Sequence, residues 1–575
     1  MHSFLNFCRF KYLENNLRNA SSFLCLKKTS KYKTVRHFSV ENKLVKDEKS
    51  EKFIPFLQRI NLRRSEARRS IVVQVQSSQS FKELYAYCNS IGKIKYMFHY
   101  SVGIEPLHFI IVEFETDTDI TNIKKSSIFV EGSLGLPTQS HFVWFRAAHK
   151  KLPKLKQIKS TCLQIENGTA IKEEEVINQM LSKSENISDQ IKTLHEITKL
   201  NDVGTRLRFL TALQIEDAVN GMFPHAVAYP FGSSVNGYGK MGCDLDLFLK
   251  LAADKPNSEN GRLVFHCKPL NGSERTMNQK YMETLGDLIY LFLPGCGQVR
   301  RILQARVPIV KYQQQLTDVE CDVSMTNMSG VHMSDFLYIM GEQDDRVRPL
   351  IFAIRKWANI AGITNSSPGR WISNFSLTLL VLAFLQNPLS GKPVLPSLNK
   401  LSELSGPEDK FQLEDGTDVS FLRDIRKYKT KTKNTDSLEQ LLKEFFEYYA
   451  HFDFENKAVC LNETVNVPKP EFSPMYIVNP LERGLNVSKN VSSDEVVRFK
   501  NEVRNAAWML ESQESKSTHW GLLSILQNKR TNSILQAVSA HSQQGRLVEV
   551  STLFEREDED NKKQNKRSNV KNSQR

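Results

Sequence analysis

From Asp244 to Leu247 the chain alternates polar and apolar residues, Asp-Leu-Asp-Leu, within an apolar stretch that ends at Leu249. A period of two is that of a strand, whose side chains change face at every step. Asp244 and Asp246 therefore share one face, and Leu245 and Leu247 share the other, turned to a core. Val319-Glu320-Cys321-Asp322-Val323-Ser324-Met325 alternates in the same way and sets Asp322 on a face with Glu320 and Ser324. Ile71–Val75, Lys93–Tyr100 and His108–Glu115 also read as strands. Between the first two, Ser80-x-x-Glu83 reads as a capping box opening a short helix that ends at Gly92. Residues 70–130 thus predict a small module of βαββ order. Helical periodicity runs from Asp189 to Phe223 and resumes from Arg348, over Pro349–Trp357 and Ser373–Leu380. The apolar run Leu379–Leu385 is far short of the roughly 20 residues a membrane span needs, and reads as a core helix. The Glu-, Phe- and Tyr-rich stretch Leu438–Tyr449 reads as another.

Composition adds location more than class. The chain has 575 residues, 40% hydrophobic and 25% charged, which is ordinary for a soluble protein of several domains. Its net charge is +14, but residues 1–40 carry +7 and residues 561–575 carry +6, leaving +1 for the body between them. The basic balance is therefore weak support for polyanion binding by the body itself. The first 40 residues are basic, nearly free of acid and interspersed with Phe and Leu, the composition of a mitochondrial presequence, with Arg36-His37-Phe38-Ser39 as its processing site. The far end reads as a disordered basic tail able to touch RNA phosphates. The nine cysteines are scattered and form no C-x-x-C, so neither a zinc site nor a disulfide framework is indicated, and a reducing compartment fits. Cys243 and Cys321 each precede a candidate acid and are expected to be buried core thiols.

The chemistry lies in Phe231–Leu249. Gly232 and Ser233 fall where a strand turns into a helix, and there backbone N–H groups and a hydroxyl can hold a triphosphate. Twelve residues on, Asp244 and Asp246 offer the paired oxygens that a hard divalent cation takes. A neighbouring strand would bring Asp322 beside them, and three carboxylates can hold two metal ions for phosphoryl transfer. Taken singly, an Asp-x-Asp or a lone strand Asp is more often a solvated surface acid.

Phe231-Gly232-Ser233, Asp244-x-Asp246 and the later Asp322 resemble the DNA polymerase beta-like nucleotidyltransferases, specifically their poly(A) polymerases and terminal uridylyltransferases, with the mitochondrial poly(A) polymerases as the nearest branch. The resemblance covers roughly residues 65–530. It implies an α+β architecture: a nucleotidyltransferase catalytic sheet in 189–340, a helical central, poly(A) polymerase-associated domain in 341–530, and an RNA-recognition-motif-like module in 65–145 that mediates homodimerisation. A transit peptide (1–40), a basic linker (146–188) and a disordered basic tail (531–575) complete the plan. The first strand offers Val72, and the third Ile111, where stacking rings are needed, so the module is not expected to read RNA alone.

The same resemblance assigns roles. Asp244, Asp246 and Asp322 hold Mg²⁺ or Mn²⁺, with Asp322 also free to act as base. Phe231, Gly232 and Ser233 form the phosphate turn. Arg355, two before Trp357, neutralises phosphate, while the second basic position two after Trp357 is Asn359, a departure, with Lys356 its neighbour. Phe375 stacks the base. Tyr476–Glu482 followed by Asn486-Val487 resembles the base-recognition motif, with Asn486 in the nucleotide site and Leu485 where uridylyl-adding relatives carry His. The implied function is template-independent addition of adenylate from ATP to RNA 3′ ends in the mitochondrial matrix. The rivals are a terminal uridylyltransferase or oligo(A)-adding enzyme, and an inactive RNA-binding scaffold.

Overall fold

The computed structural model describes residues 53–526 apart from internal segments, chiefly within 130–137, 147–162, 166–170, 252–271 and 513–519. The presequence, most of the bases of the linker, and the basic tail lie outside the described residues.

Helix α1 (Phe56–Arg68) leads into β1 (Ser70–Val75), α2 (Phe81–Asn89), β2 (Ile94–Val102), β3 (Leu107–Phe114) and α3 (Asp117–Ser126), with short strands β4 (Phe142–Trp144) and β5 (Leu163–Ile165) at the sheet edges. The sheet order is β4-β1-β3-β2-β5. Alternation fixes two faces. Ile71, Val73, Met97, Ile110 and Val112 pack with Leu84, Cys88, Ile120 and Ile123 of the two helices. Val72, Phe98, Tyr100, Phe109 and Ile111 turn the other way into the main core of the molecule. The Tyr100 hydroxyl donates to the Leu316 carbonyl at 2.9 Å, and the Arg206 guanidinium lies 4.5 Å from the Phe98 ring centroid. The face on which an RNA-recognition motif would stack bases is therefore sealed against the rest of the chain. Two local expectations fail. Ser80 already has helical φ/ψ and makes no cap hydrogen bond, because a 3-10 turn at Ser78–Ser80 leads into α2; the capping box of this module is Thr116 with Asp119. Gly92 is not a left-handed cap either; a β-carbon there would meet Asp119 Cβ at 2.6 Å.

Helices α4 (Glu174–Leu181), α5 (Ile187–Thr198) and α6 (Asp202–Val219) precede a second sheet. It contains β6 (Val227–Phe231), the four-residue helix α7 (Ser233–Asn236), β7 (Leu245–Lys250), helix α8 (Glu274–Phe292), then β8 (Cys296–Ile302), β9 (Ile309–Gln314) and β10 (Val319–Ser324). The order is β6-β7-β10-β9-β8, with β7 and β10 parallel and the other pairs antiparallel. Leu245, Leu247, Leu249, Val310, Tyr312, Cys321 and Val323 form the back face, packed with Ala212 and Ile215 of α6 and Met282, Leu285 and Ile289 of α8. Each buried Leu or Val contributes about 1.5–3 kcal/mol, so the polar alternates are held on the front face.

Helices α9 (Met328–Glu342), α10 (Val347–Ile360) and α11 (Asn374–Gln386) are followed by α12 (Leu438–His451), α13 (Ser493–Glu511) and α14 (Leu522–Leu526). Ser373 caps α11, and every residue from Ser376 to Gln386 is buried. The stretch read as core is core: Phe445 and Tyr449 of α12 pack ring to ring 5.1 Å apart, and the Tyr449 hydroxyl donates to the Leu380 carbonyl of α11. Among the described residues no helix is long and apolar enough to cross a membrane.

Candidate active site

Strand β6 ends at Phe231 and the chain turns at once into α7. Gly232 makes that turn at φ 72°, a region costly for residues with a β-carbon, and an added β-carbon would overlap Asp246 Oδ2. The turn is tied down twice. The Gly232 N–H donates to Ser334 Oγ of α9 at 2.7 Å, and Ser234 Oγ donates to the Asp244 carbonyl at 2.6 Å. The Gly232–Ser234 turn and the acid strand are thus one braced unit.

The register of the sheet brings the acids together as the alternation required. Asp246 on β7 is the direct partner of Asp322 on β10, and Asp322 is in turn opposite Lys311 on β9. Lys311 Nζ lies 3.3 Å from Asp322 Oδ1 and 3.2 Å from Glu320 Oε2. Burial raises all three carboxyls. Asp246 is pushed up to about 7, by burial first and then by the charges of Asp322 and Asp244. Asp244, at the solvent edge, and Asp322 are raised mainly by desolvation, with Lys311 opposing. Among the described residues no three acids, histidines or cysteines close into a metal cluster. Lys311 supplies the counter-charge for Asp322. The donor set nevertheless fits a hard cation: it is all carboxyl oxygen, largely withdrawn from water, with Asp246 and Asp322 in direct cross-strand register.

Asp244 and Asp246, with the Phe231–Ser233 turn, line one side of a cleft of about 660 Å³ whose far wall comes from the helical domain; Asp322, the cross-strand partner of Asp246, stands outside that lining. Arg355 of α10 lines it, donating from Nη1 to the Tyr238 carbonyl at 2.9 Å and from Nε to Asn374 Oδ1 at 3.4 Å. No carboxylate pairs with it among the described residues, and burial lowers its pKa. The cleft holds a second cation that sequence reasoning missed. Lys240 reaches in from the rim, its pKa lowered by partial desolvation and by Arg355 and Lys356. It stands four residues before Asp244, inside the very stretch that carries the motif, and the signal was a lysine among glycines. Asn359 also lines the cleft, whereas Lys356 points elsewhere and is ion-paired to Glu174.

Phe375, in the first turn of α11, is half-buried and borders the cleft, unlike the fully enclosed residues after it. From the segment resembling a base-recognition motif, Asn479, Leu481 and Glu482 reach the cleft. Asn486 does not. Its Oδ1 accepts from the N–H groups of Ile477 and Ser488, and its Nδ2 donates to the Met475 carbonyl at 3.0 Å. It is 9% exposed and holds the loop from behind, which corrects the expectation that it faces the nucleotide. Cys321 is a core thiol as expected, but Cys243 is half-buried and lines the cleft, because the chain reaches strand geometry only at Leu245.

Residues 187–342 match the family model described as the central palm domain of mitochondrial-like poly(A) RNA polymerase, and residues 437–481 match the model for Cid1 family poly A polymerase. The chain is 44% identical over 511 residues to the mitochondrial poly(A) RNA polymerase of Drosophila melanogaster, covering 86% of this chain and 83% of that protein. It is 35% identical over 479 residues to the human protein of the same name, covering 81% and 80%. Among solved structures it resembles mtPAP in complex with ATPγS (34% identity, TM-score 0.73) and with UTP (34%, 0.75), each comparison covering 82% of this chain and 99% of the other.

Proposed function

The chain belongs to the mitochondrial poly(A) RNA polymerase family, and from that membership we propose that it adds adenylate from ATP, without a template, to RNA 3′ ends in the mitochondrial matrix. The observation that carries this reading is the cleft itself: Asp244 and Asp246 on one wall, Asp246 in cross-strand register with Asp322, and on the other wall Arg355, with no ion pair among the described residues. Asp244, Asp246 and Asp322 would hold a divalent cation, Mg²⁺ or Mn²⁺, which when bound neutralises developing charge on phosphoryl oxygens. Ser233, Arg355 and Lys240 bind the triphosphate, and Phe375 offers a ring face to the base. Asp322 accepts the proton of the RNA 3′-hydroxyl as its oxygen attacks the α-phosphorus; the bond to the bridging oxygen breaks and pyrophosphate leaves. Leu485 leaves no imidazole for uracil, which favours adenine. We further propose a homodimer assembled through the N-terminal module.

Solved mtPAP complexes exist with GTP and CTP as well as UTP and ATPγS. Selection is therefore to be read in incorporation and not in binding. The test is parallel extension of a short RNA with each of the four nucleoside triphosphates by the wild type and by Asp246→Ala. ATP is expected to be used best and the variant to be inert while still binding RNA; preferred UTP use, or tailing by the variant, overturns the reading.

A further inference from the structure

The catalytic acids are not the end of the row on which they stand. Reading straight across the second sheet, Phe231 faces Asp246, Asp246 faces Asp322, Asp322 faces Lys311, and Lys311 faces Arg300 on β8. Residues directly opposite in a sheet share a face. The front face therefore passes from two carboxylates to two cations within three strand spacings, about 14 Å, and finishes at an edge strand. Arg300 is exposed and makes no ion pair among the described residues. Its neighbour Arg301 is the contrast: it faces the back of the sheet and is bound to Asp287 of α8. Arg306, in the loop after β8, is exposed and lies 3.6 Å from Glu482, which itself lines the cleft. The β8–β9 hairpin thus carries cations from the sheet edge to the cleft mouth.

We propose that the backbone phosphates of the RNA acceptor strand run over Lys311 and Arg300, so that this row delivers the 3′-hydroxyl to Asp322. The proposal rests on the polyadenylation reading and names the track of its acceptor. Three physical points support it. The body of the chain carries a net charge of only +1, so its hold on RNA must come from local placement of cations. An arginine on a sheet edge, with no acid to satisfy it, presents its fork to a phosphate at little desolvation cost. Lys311 sits between Asp322 and Glu320, where a strand laid along the row would bring its terminal phosphate beside the one cation already adjoining the proton acceptor.

The test uses the full chain and a fluorescent oligoadenylate, in EDTA and without ATP, with anisotropy followed against salt. Each lost phosphate contact lowers the single-strand salt slope by about 0.7. Arg300→Ala is expected to lower the slope by that amount, weaken RNA binding several-fold and raise KM for RNA while KM for ATP moves less than about twofold. Arg300→Lys should recover most of the slope, Lys311→Met should show the same direction, and Arg301→Ala should leave the slope unchanged. An Arg300→Ala protein with wild-type slope and wild-type KM for RNA overturns the track. A wild type that adenylates no RNA overturns the functional reading instead, and the EDTA binding slopes still decide the track.

Discussion

Gly232 and Asp246 share a space that admits only one side chain. The turn residue has no β-carbon, and the room this leaves is taken by the Oδ2 oxygen of the carboxylate on the adjoining strand. Gly232→Ala should therefore displace the acid and strain a backbone at φ 72°. A displacement of about 1 Å at a reacting group costs roughly 10²-fold. We expect ATP incorporation to fall by at least that factor while circular dichroism stays near wild type and thermal unfolding shifts down only by the strain of about 1–3 kcal/mol.

Asp246→Asn separates stability from chemistry. In the folded chain the carboxyl holds its proton up to about 7, against 3.8 for an ordinary Asp. Between those values the native state binds more protons than the unfolded state, so stability falls as pH rises through the window, and the penalty is complete above it. The neutral amide removes the penalty. Without divalent cation the variant should melt higher than wild type at about pH 8, and the gain should shrink towards about pH 5. Incorporation should be lost at both. Differential scanning calorimetry in EDTA beside a tailing assay checks this; an equal or greater gain at the lower pH contradicts the burial account.

Arg355 and Lys240 are expected to grip the same anion. A hydrogen bond to a charged group is worth about 1.5–3 kcal/mol, so Arg355→Met should cost roughly 10–100-fold in kcat/KM for ATP, with Lys240→Met in the same direction. Because both act on one triphosphate, the double variant should depart from additivity. Strict additivity would place Lys240 outside the triphosphate site.

Glu113 is fully buried on β3 and serves three cations: Arg206 at 2.7 Å, and Arg69 and Lys95 at 3.3 Å each. Removing the acid leaves Arg206 still paired with Asp202 and Glu66, and Arg69 and Lys95 partly in water, so the cost is that of a lost charged hydrogen bond, about 1.5–3 kcal/mol. Glu113→Ala should lower the urea midpoint accordingly, and Glu113→Gln less, since the amide oxygen still accepts.

Strand alternation was enough to find the front-face acids, because burying Leu245, Leu247, Cys321 and Val323 leaves Asp246 and Asp322 no other side. Long helices with one apolar stripe were equally legible. What escaped was whatever depended on distant partners. Ser80 looked like a cap until the 3-10 turn before it set its backbone. Asn486 lay in the right motif, yet its amide is consumed by the loop. Lys240 was in plain view, but its place in one cleft with Arg355, 115 residues further on, is set by the tertiary fold, which no local pattern encodes.

The sealed aromatic face of the first sheet makes the N-terminal module inseparable from the catalytic sheet. A chain starting after residue 145 would lack Phe98, Tyr100 and Phe109 in its core and the Tyr100 hydroxyl at Leu316, at the turn that joins β9 to the strand of Asp322. The module is no detachable cassette: any exchange would have to bring with it a new wall for the catalytic sheet.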